Sequence, residues 1–292
     1  MTDAERALSF AGVAGAYDRA RPSYPREAAE WLAGRAPATV LELGAGTGKL
    51  TDQLLALGHD VLATDPLDEM LQYLRLRHPD CRTAVAAAEE IPVAARSVDV
   101  VVSAQAFHWF DVAKALPEIA RVLKPEGVLS LAWNVRDDRI PWVRKLGRLI
   151  DTPTQEREPA GALVTSRLFG YVEERQFRFW QPLRKQDLRD LVTSRSNVAI
   201  KSPDEQRLVL AQCDALYDEY GRGPDGMLLP YITHCYKAVV RPVVLEDTGP
   251  IHLTGHLSGA STEPPGEATP AAVSPPGRTR DDDGGTTLFS LS

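Results

Sequence analysis

The chain has 292 residues, of which 43% are hydrophobic and 25% are charged, and its formal net charge is −7. This length and balance fit a globular protein of one or two domains with enough apolar material for a core. The acidic charge argues against broad nucleic-acid binding, because phosphate contacts need a basic face.

Other classes are disfavoured by the distribution of particular residues. Cys81, Cys213 and Cys235 are far apart and form no CxxC pair, so neither a disulfide framework nor a cysteine zinc site is indicated. The histidines do not occur with carboxylates or cysteines at metal-ligand spacing, so we expect no metal. The amino terminus carries acids where a signal peptide needs basic residues, and no run of about 18 apolar residues indicates a membrane span. A cytoplasmic protein with no membrane partner is the expectation.

From Thr39 to about Ile150, short apolar runs alternate with amphipathic segments. The runs are typical of buried parallel strands, and the segments between them have the three- and four-residue spacing of helices. The predicted strands are TVLEL (39–43), DVLAT (60–64), RTAVAA (82–87), VDVVVS (98–103) and GVLSLAW (127–133). This alternation builds βαβ units.

The pattern changes after Ile150. The aromatic-rich FGYVEERQFRFWQPL and the later MLLPYITHCYKAVV are predicted strands that could pair antiparallel at the edge of the sheet. Between them lie two predicted helices, and the second begins with Ser202 and Glu205 at capping-box spacing. From 242 onward the chain is rich in Pro, Gly, Ser, Thr and Asp, so we expect a disordered tail over 242–292.

A glycine loop, VLELGAGTGKL (Val40–Leu50), follows the first predicted strand. A nucleoside-triphosphate P-loop would need glycine at Leu43 and a hydroxyl residue at Leu50, so that motif fails twice. The dinucleotide fingerprint needs its third glycine where Lys49 stands. A tight strand-to-helix turn without a ligand is the structural alternative.

The loop does match E/D-x-G-x-G-x-G, and it thereby resembles motif I of the class I S-adenosylmethionine-dependent methyltransferases. The later segments AAAEEIP, SAQAFHWFD and RVLKPEGVLSLAW are similar to segments of the type 11 subfamily, so the resemblance extends over more than a hundred residues. It implies a Rossmann-like α/β fold: a mostly parallel seven-stranded sheet with helices on both faces and an antiparallel edge strand. It also implies S-adenosyl-L-methionine as cofactor. The motif residues expected at that cofactor are Glu42, Gly44, Gly46 and Gly48.

Further cofactor contacts follow from the same resemblance. Asp65, at the end of the second strand, is expected to accept the ribose hydroxyls, with a helix N-cap as its alternative role. Met70 would cover one adenine face, although it could equally be a core residue. Ala88 and Glu89 would flank the adenine edge, with a solvated acidic turn as the alternative, and Gln105 would meet the reactive end of the cofactor.

The segment AYDRARPSYP (16–25) is similar to the region preceding the core in the branch of this family that includes trans-aconitate methyltransferase-like proteins. There it forms a helical lid over the cofactor, so Tyr17, Arg21 and Tyr24 are candidate lid residues. A surface helix followed by a Pro-bounded turn is the alternative. The expected organisation is a lid over 1–35, a cofactor-binding core over 36–150, a part completing the sheet and acceptor pocket over 151–241, and the tail.

The resemblance implies methyl transfer to a small-molecule acceptor, through a carboxylate or another oxygen nucleophile, by a monomer or homodimer. His108 is the candidate base beside the expected reaction centre, although FHWF could also form an aromatic wall. Two alternatives remain open: a nicotinamide-dependent oxidoreductase and a non-catalytic member of the fold. The region expected to form the acceptor pocket would suit an acidic or aromatic small molecule, although most of its side chains could simply pack or solubilise the protein. These side chains are Arg136, Arg139, Trp142, Phe177, Phe179 and Trp180.

Overall fold

The computed structural model describes residues 21–150, 161–193, 195–221 and 226–242. Tyr17, most of the predicted lid and nearly all of the predicted tail therefore lie outside the described residues. Among the described residues, no helix has both the length and the apolar character needed to cross a membrane.

Seven strands form one sheet in the order β3-β2-β1-β4-β5-β7-β6. The strands are β1 (Thr39–Leu43), β2 (Asp60–Asp65), β3 (Arg82–Val85), β4 (Val98–Ala104), β5 (Leu123–Arg136), β6 (Glu173–Leu183) and β7 (Met227–Val239). The first five are parallel, as their apolar runs predict. The predicted seven-stranded, mostly parallel sheet is confirmed.

The antiparallel pairing is at the edge of the sheet, as predicted. Strand β7 runs antiparallel to both of its neighbours, β5 and β6, so it is the reversed strand and lies second from the edge. Strand β6 is outermost and runs in the same direction as the parallel strands. Although β7 comes after β6 in the sequence, it lies between β5 and β6 in the sheet.

Helices connect and cover these strands. They are α1 (Arg26–Ala33), α2 (Thr51–Ala56), α3 (Asp68–Arg77), α4 (Val112–Val122), α5 (Pro141–Leu149), α6 (Gly161–Thr165), α7 (Lys185–Thr193), α8 (Ser196–Ala199) and α9 (Pro203–Tyr220). Ser202 caps α9, and its side chain and that of Glu205 form the predicted capping box.

Successive side chains of β5 point to opposite faces of the sheet and pack in different core clusters. Leu129, Leu131 and Trp133 contribute to a core cluster that also contains α4, whereas Ala132 points to the opposite face and packs with α1 and α2. A third cluster joins α5, α7 and α9 to β6 and β7. Helices therefore cover both faces, as predicted. Helix α1 lies within the predicted lid segment, but it packs on the sheet and contributes to the core cluster around Ala132.

Candidate active site

The glycine loop lies at the carboxyl end of β1, between β2 and β4. Because the chain connects β1 to β2 on one side and β4 to β5 on the other, this point is a topological switch, where open α/β sheets bind ligands. A cleft is found here, and the space within it and at its open mouth together amounts to about 460 Å³. Its lining residues are Arg21, Pro22, Tyr24, Glu42, Gly44, Ala45, Gly46, Thr47, Lys49, Leu50, Ala104, Gln105 and Asn134.

The three glycines of the loop all have positive φ, at 69°, 56° and 89° for Gly44, Gly46 and Gly48. Their surroundings differ. A Cβ on Gly44 would collide with Ala106, and one on Gly48 would lie 2.9 Å from Cγ of Leu74. A Cβ on Gly46 would have no atom within 4 Å, so the backbone there borders open space. Among the three glycines of the loop, Gly46 alone combines a left-handed turn with room for a ligand to approach.

Asp65 connects the glycine loop to the end of β2. Its Oδ2 accepts a hydrogen bond from the Gly46 N–H at 2.9 Å, and its Oδ1 accepts one from the Leu67 N–H at the same distance. The side chain is only 8% exposed, and this burial raises the pKa of the carboxyl against the effect of the two bonds. The cap position of α3 is Leu67 and not Asp65, so the alternative helix-cap role is not observed. Each carboxylate oxygen keeps acceptor capacity for a hydroxyl.

Glu42 is the most deeply buried acid of the cleft, at 1% exposure. Its Oε2 accepts a hydrogen bond of 2.6 Å from the Thr51 hydroxyl at the start of α2. Burial, with a smaller effect of the negative charges of Asp52 and Asp65, raises the pKa of Glu42 to about 8 against the lowering effect of the Thr51 bond. The carboxyl is therefore largely protonated at neutral pH.

Gln105 has φ 59° and joins the ends of β4 and β5. Its backbone N–H donates to the Ala132 carbonyl, and its Nε2 donates to the Asn134 carbonyl, both at 2.9 Å. Asn134 in turn donates from Nδ2 to the Ser23 carbonyl at 3.1 Å. The wall of the cleft opposite the glycine loop is thus a fixed set of amide groups.

Several residues expected at the reaction site do not line the cleft in this structure: Gly48, Asp65, Met70, Ala88, Glu89 and His108. Met70 and Ala88 are buried in the protein. Glu89 accepts a hydrogen bond of 2.6 Å from the Asp111 N–H, and so connects its turn to the start of α4. His108 lies in a 3-10 turn after Gln105, with its ring 4.8 Å from that of Trp109. Their functional roles stay predictions.

Sequence reasoning did not single out Thr47, Lys49 or Asn134 as cleft residues. The Thr47 hydroxyl is buried and makes no hydrogen bond to any described residue. Asn134 could have been found from its position, because it lies near the carboxyl end of β5, at the edge of the sheet where ligands bind. Within the described ranges, no three His, Cys, Asp or Glu side chains cluster as metal ligands would.

The strand order and the cleft define a Rossmann-like α/β protein with a ligand site at its switch point. A family model described as "Methyltransferase domain" matches residues 41–131. An uncharacterized methyltransferase of Mycobacterium bovis is 45% identical over 244 residues, which cover 81% of this chain and 97% of that protein. The chain therefore belongs to the class I S-adenosylmethionine-dependent methyltransferases with a type 11 domain.

Two further similarities extend this result. A malonyl-[acyl-carrier protein] O-methyltransferase of Methylococcus capsulatus is 36% identical over 137 residues, covering 43% of this chain and 50% of that protein. A solved structure of a candidate type II methyltransferase from Anaeromyxobacter dehalogenans has a TM-score of 0.56 at 24% identity. The match covers 76% of this chain and 97% of that one, and it supports the fold.

Proposed function

We propose that this protein uses S-adenosyl-L-methionine to methylate a small-molecule acceptor at an oxygen nucleophile such as a carboxylate. The observation that carries the proposal is the open space beside Gly46, in a cleft that also presents Glu42, the unsatisfied Thr47 hydroxyl and, through its bond to the loop, Asp65. The partial similarity to a malonyl-[acyl-carrier protein] O-methyltransferase supports oxygen as the accepting atom.

The residues present fit such a cofactor. Gly46 would allow close approach of the methionine and ribose portion, Asp65 would accept the ribose hydroxyls, and Thr47 would gain a polar partner. Glu42 would lie beneath the loop, where a cationic ligand would favour its ionised form. We assign the adenine end to Met70, Ala88 and Glu89, and the lid to Tyr17, Arg21 and Tyr24.

The cofactor, when bound, supplies an electrophilic methyl group on a good leaving group. The protein is then required mainly to align the acceptor and to exclude water, and alignment alone can lower a barrier by about 7–11 kcal/mol. Gln105 and Asn134 form the wall along which the acceptor would be aligned, since both line the cleft and are fixed by hydrogen bonds.

A carboxylate acceptor is already ionised at neutral pH and needs no base, so His108 is our candidate for removing a proton where the accepting oxygen is a hydroxyl. If it acts as a base, His108→Asn lowers kcat most strongly at neutral and alkaline pH, where the parent imidazole is deprotonated, and removes the imidazole-dependent rise of the pH profile. A variant with the profile of the parent would leave His108 as part of an aromatic wall.

The test is an acceptor screen with the full chain and S-adenosylmethionine, in which release of S-adenosylhomocysteine and methylated product is followed by mass spectrometry. The expected result is turnover of a carboxylate-bearing small molecule. Binding of the cofactor without turnover of any acceptor would favour the non-catalytic alternative, and reduction or oxidation with a nicotinamide cofactor would favour the oxidoreductase.

A further inference from the structure

Arg136 and Tyr231 form a cross-strand pair beyond the cofactor cleft. They stand directly opposite each other in the antiparallel register of β5 and β7, so their side chains share one face of the sheet, with Cβ atoms about 4.5–5.5 Å apart. Phe179 of β6 is the register partner of Tyr231 on the other side. Its ring stacks on the Tyr231 ring with centroids 5.4 Å apart, and this contact fixes the phenol.

Both members of the pair present buried polar atoms without partners. Tyr231 is only 2% exposed, and its hydroxyl makes no hydrogen bond to the described part of the chain. The same holds for Nη1 of Arg136, which is shielded from solvent. A buried donor left unsatisfied costs stability, and such groups in native proteins commonly mark a functional site. Here two unsatisfied donors belong to directly paired residues.

The electrostatics around the pair favour an anion. Burial lowers the pKa of the Arg136 guanidinium, and the nearby positive charge of Arg21 lowers it further. Tyr231 and the acidic neighbour Asp138 act in the opposite direction. The adjacent Asp137 is already engaged, because its Oδ2 pairs with Nη2 of Arg139 at 2.5 Å. The guanidinium groups of Arg21 and Arg136 therefore share a partly dry site.

The pair lies next to the proposed reaction centre. Asn134 precedes Arg136 by two residues on β5, points to the same face and lines the cleft. Its Oδ1 accepts a hydrogen bond of 2.6 Å from the Thr233 hydroxyl, the neighbour of Tyr231 on the same face of β7. Arg21 also lines the cleft. A molecule reaching from the cleft along this face would meet Arg136 and Tyr231 next.

We propose that Arg136 and Tyr231 bind a carboxylate of the methyl acceptor, so that the acceptor is an anionic small molecule selected by this cross-strand pair. The assignment rests on the proposed function, because it places the pair beside the methyl-transfer site. Arg136 supplies a charge-assisted hydrogen bond and Tyr231 donates its hydroxyl to the same group. The role is recognition of the acceptor.

The experiment is calorimetry of the full chain saturated with S-adenosylhomocysteine. The probes are benzoate and glutarate, each compared with its neutral amide, benzamide or glutaramide. We expect at least one acid to bind about ten-fold or more tightly than its amide. Arg136→Gln should abolish this preference. Tyr231→Phe should weaken acid binding several-fold while keeping the ring stack with Phe179, so its melting temperature should not fall.

Arg178→Gln is the matched control, because Arg178 is an exposed arginine on β6 whose side chain points to the opposite face. This variant loses the same charge and should bind the acids as the parent does. The proposal is overturned if neither acid is preferred over its amide, or if Arg136→Gln retains the preference. Failure to bind S-adenosylhomocysteine would instead contradict the proposed function, so the two failures are distinguishable.

Discussion

Glycine can be required in the loop for two reasons, a left-handed backbone angle and the lack of space for a side chain. At Gly46 only the first reason applies within the protein. Its φ of 56° is in the left-handed region, where an L-residue costs about 1–2 kcal/mol, yet no atom within 4 Å would obstruct a side chain. Gly44 and Gly48 are required by packing against Ala106 and Leu74 as well as by their backbone angles. Among the three, Gly46 therefore tests ligand approach most cleanly.

Gly46→Ala should fold cooperatively with a loss of about 1 kcal/mol in stability, and it should lose most of its affinity for S-adenosylhomocysteine. Gly58→Ala is the control. Gly58 also has positive φ, 85°, and open space around its Cβ position, but it lies outside the cleft. Calorimetry of both variants makes the comparison. Equal affinity loss in the two, or none in Gly46→Ala, would contradict close approach.

Glu42 makes the stability of the folded protein depend on pH, and its position in the sequence does not reveal this. The pKa of Glu42 is about 8 in the folded protein, against an ordinary value of 4.5. Because the folded state holds this proton more tightly, the associated stability is fully present below about pH 4.5. It is lost as pH rises through 8, at up to about 1.4 kcal/mol per pH unit.

Glu42→Gln should remove this contribution, since the amide has similar size and does not ionise. Urea unfolding at pH 6 and pH 7.5 should show that the parent loses about 2 kcal/mol more than the variant over this interval. Parallel losses in parent and variant would mean that Glu42 ionises normally in the folded protein.

The site residues differ in how far the sequence could predict them. Glu42 and the glycines belong to one contiguous motif, so spacing alone locates them. Thr47 lies within the motif, but its hydroxyl attracts attention only once burial shows that it lacks a partner. The pairing of Arg136 with Tyr231 depends on the register of two strands separated by about 90 residues, and no local pattern encodes that register.

At the scale of elements, β1, β2, β4 and β5 were predictable because buried parallel strands have continuous apolar runs, and the short, partly exposed β3 was predictable from its place in the βαβ alternation. The sequence also predicted that β6 and β7 pair antiparallel at the edge. It could not show that β7 would enter between β5 and β6, because either strand could pair with β5 on local pattern alone. Packing of α5, α7 and α9 against these strands is a tertiary effect.

Helix α9 supplies a prediction for this part of the fold. The Ser202 side chain accepts from the Glu205 N–H, and Glu205 accepts from the Ser202 N–H at 2.9 Å. Ser202→Ala should lower the free energy of unfolding by about 1 kcal/mol and leave S-adenosylhomocysteine affinity unchanged, because the cap lies away from the cleft. Denaturant unfolding should remain a single transition. A second transition would show that the α9 region unfolds separately.

At the scale of the molecule, the sheet brings the proposed cofactor residues and the proposed acceptor residues to the same end of its parallel strands. The glycine loop and Gln105 come from the carboxyl ends of β1 and β4 and line the cleft at the switch point, and Asp65 at the end of β2 is bonded to the loop through Gly46. Arg136 lies at the carboxyl end of β5, where the antiparallel β7 brings Tyr231 beside it. The parallel part of the sheet would thus hold the cofactor, and the antiparallel edge would select the acceptor.

The central claim is that the cleft binds an adenosyl cofactor of the methyltransferase type. Calorimetric titration of the full chain with S-adenosylhomocysteine and, separately, with NAD tests it most directly. The account predicts saturable binding of S-adenosylhomocysteine at one site per chain and no binding of NAD. Binding of NAD with no response to S-adenosylhomocysteine would contradict it.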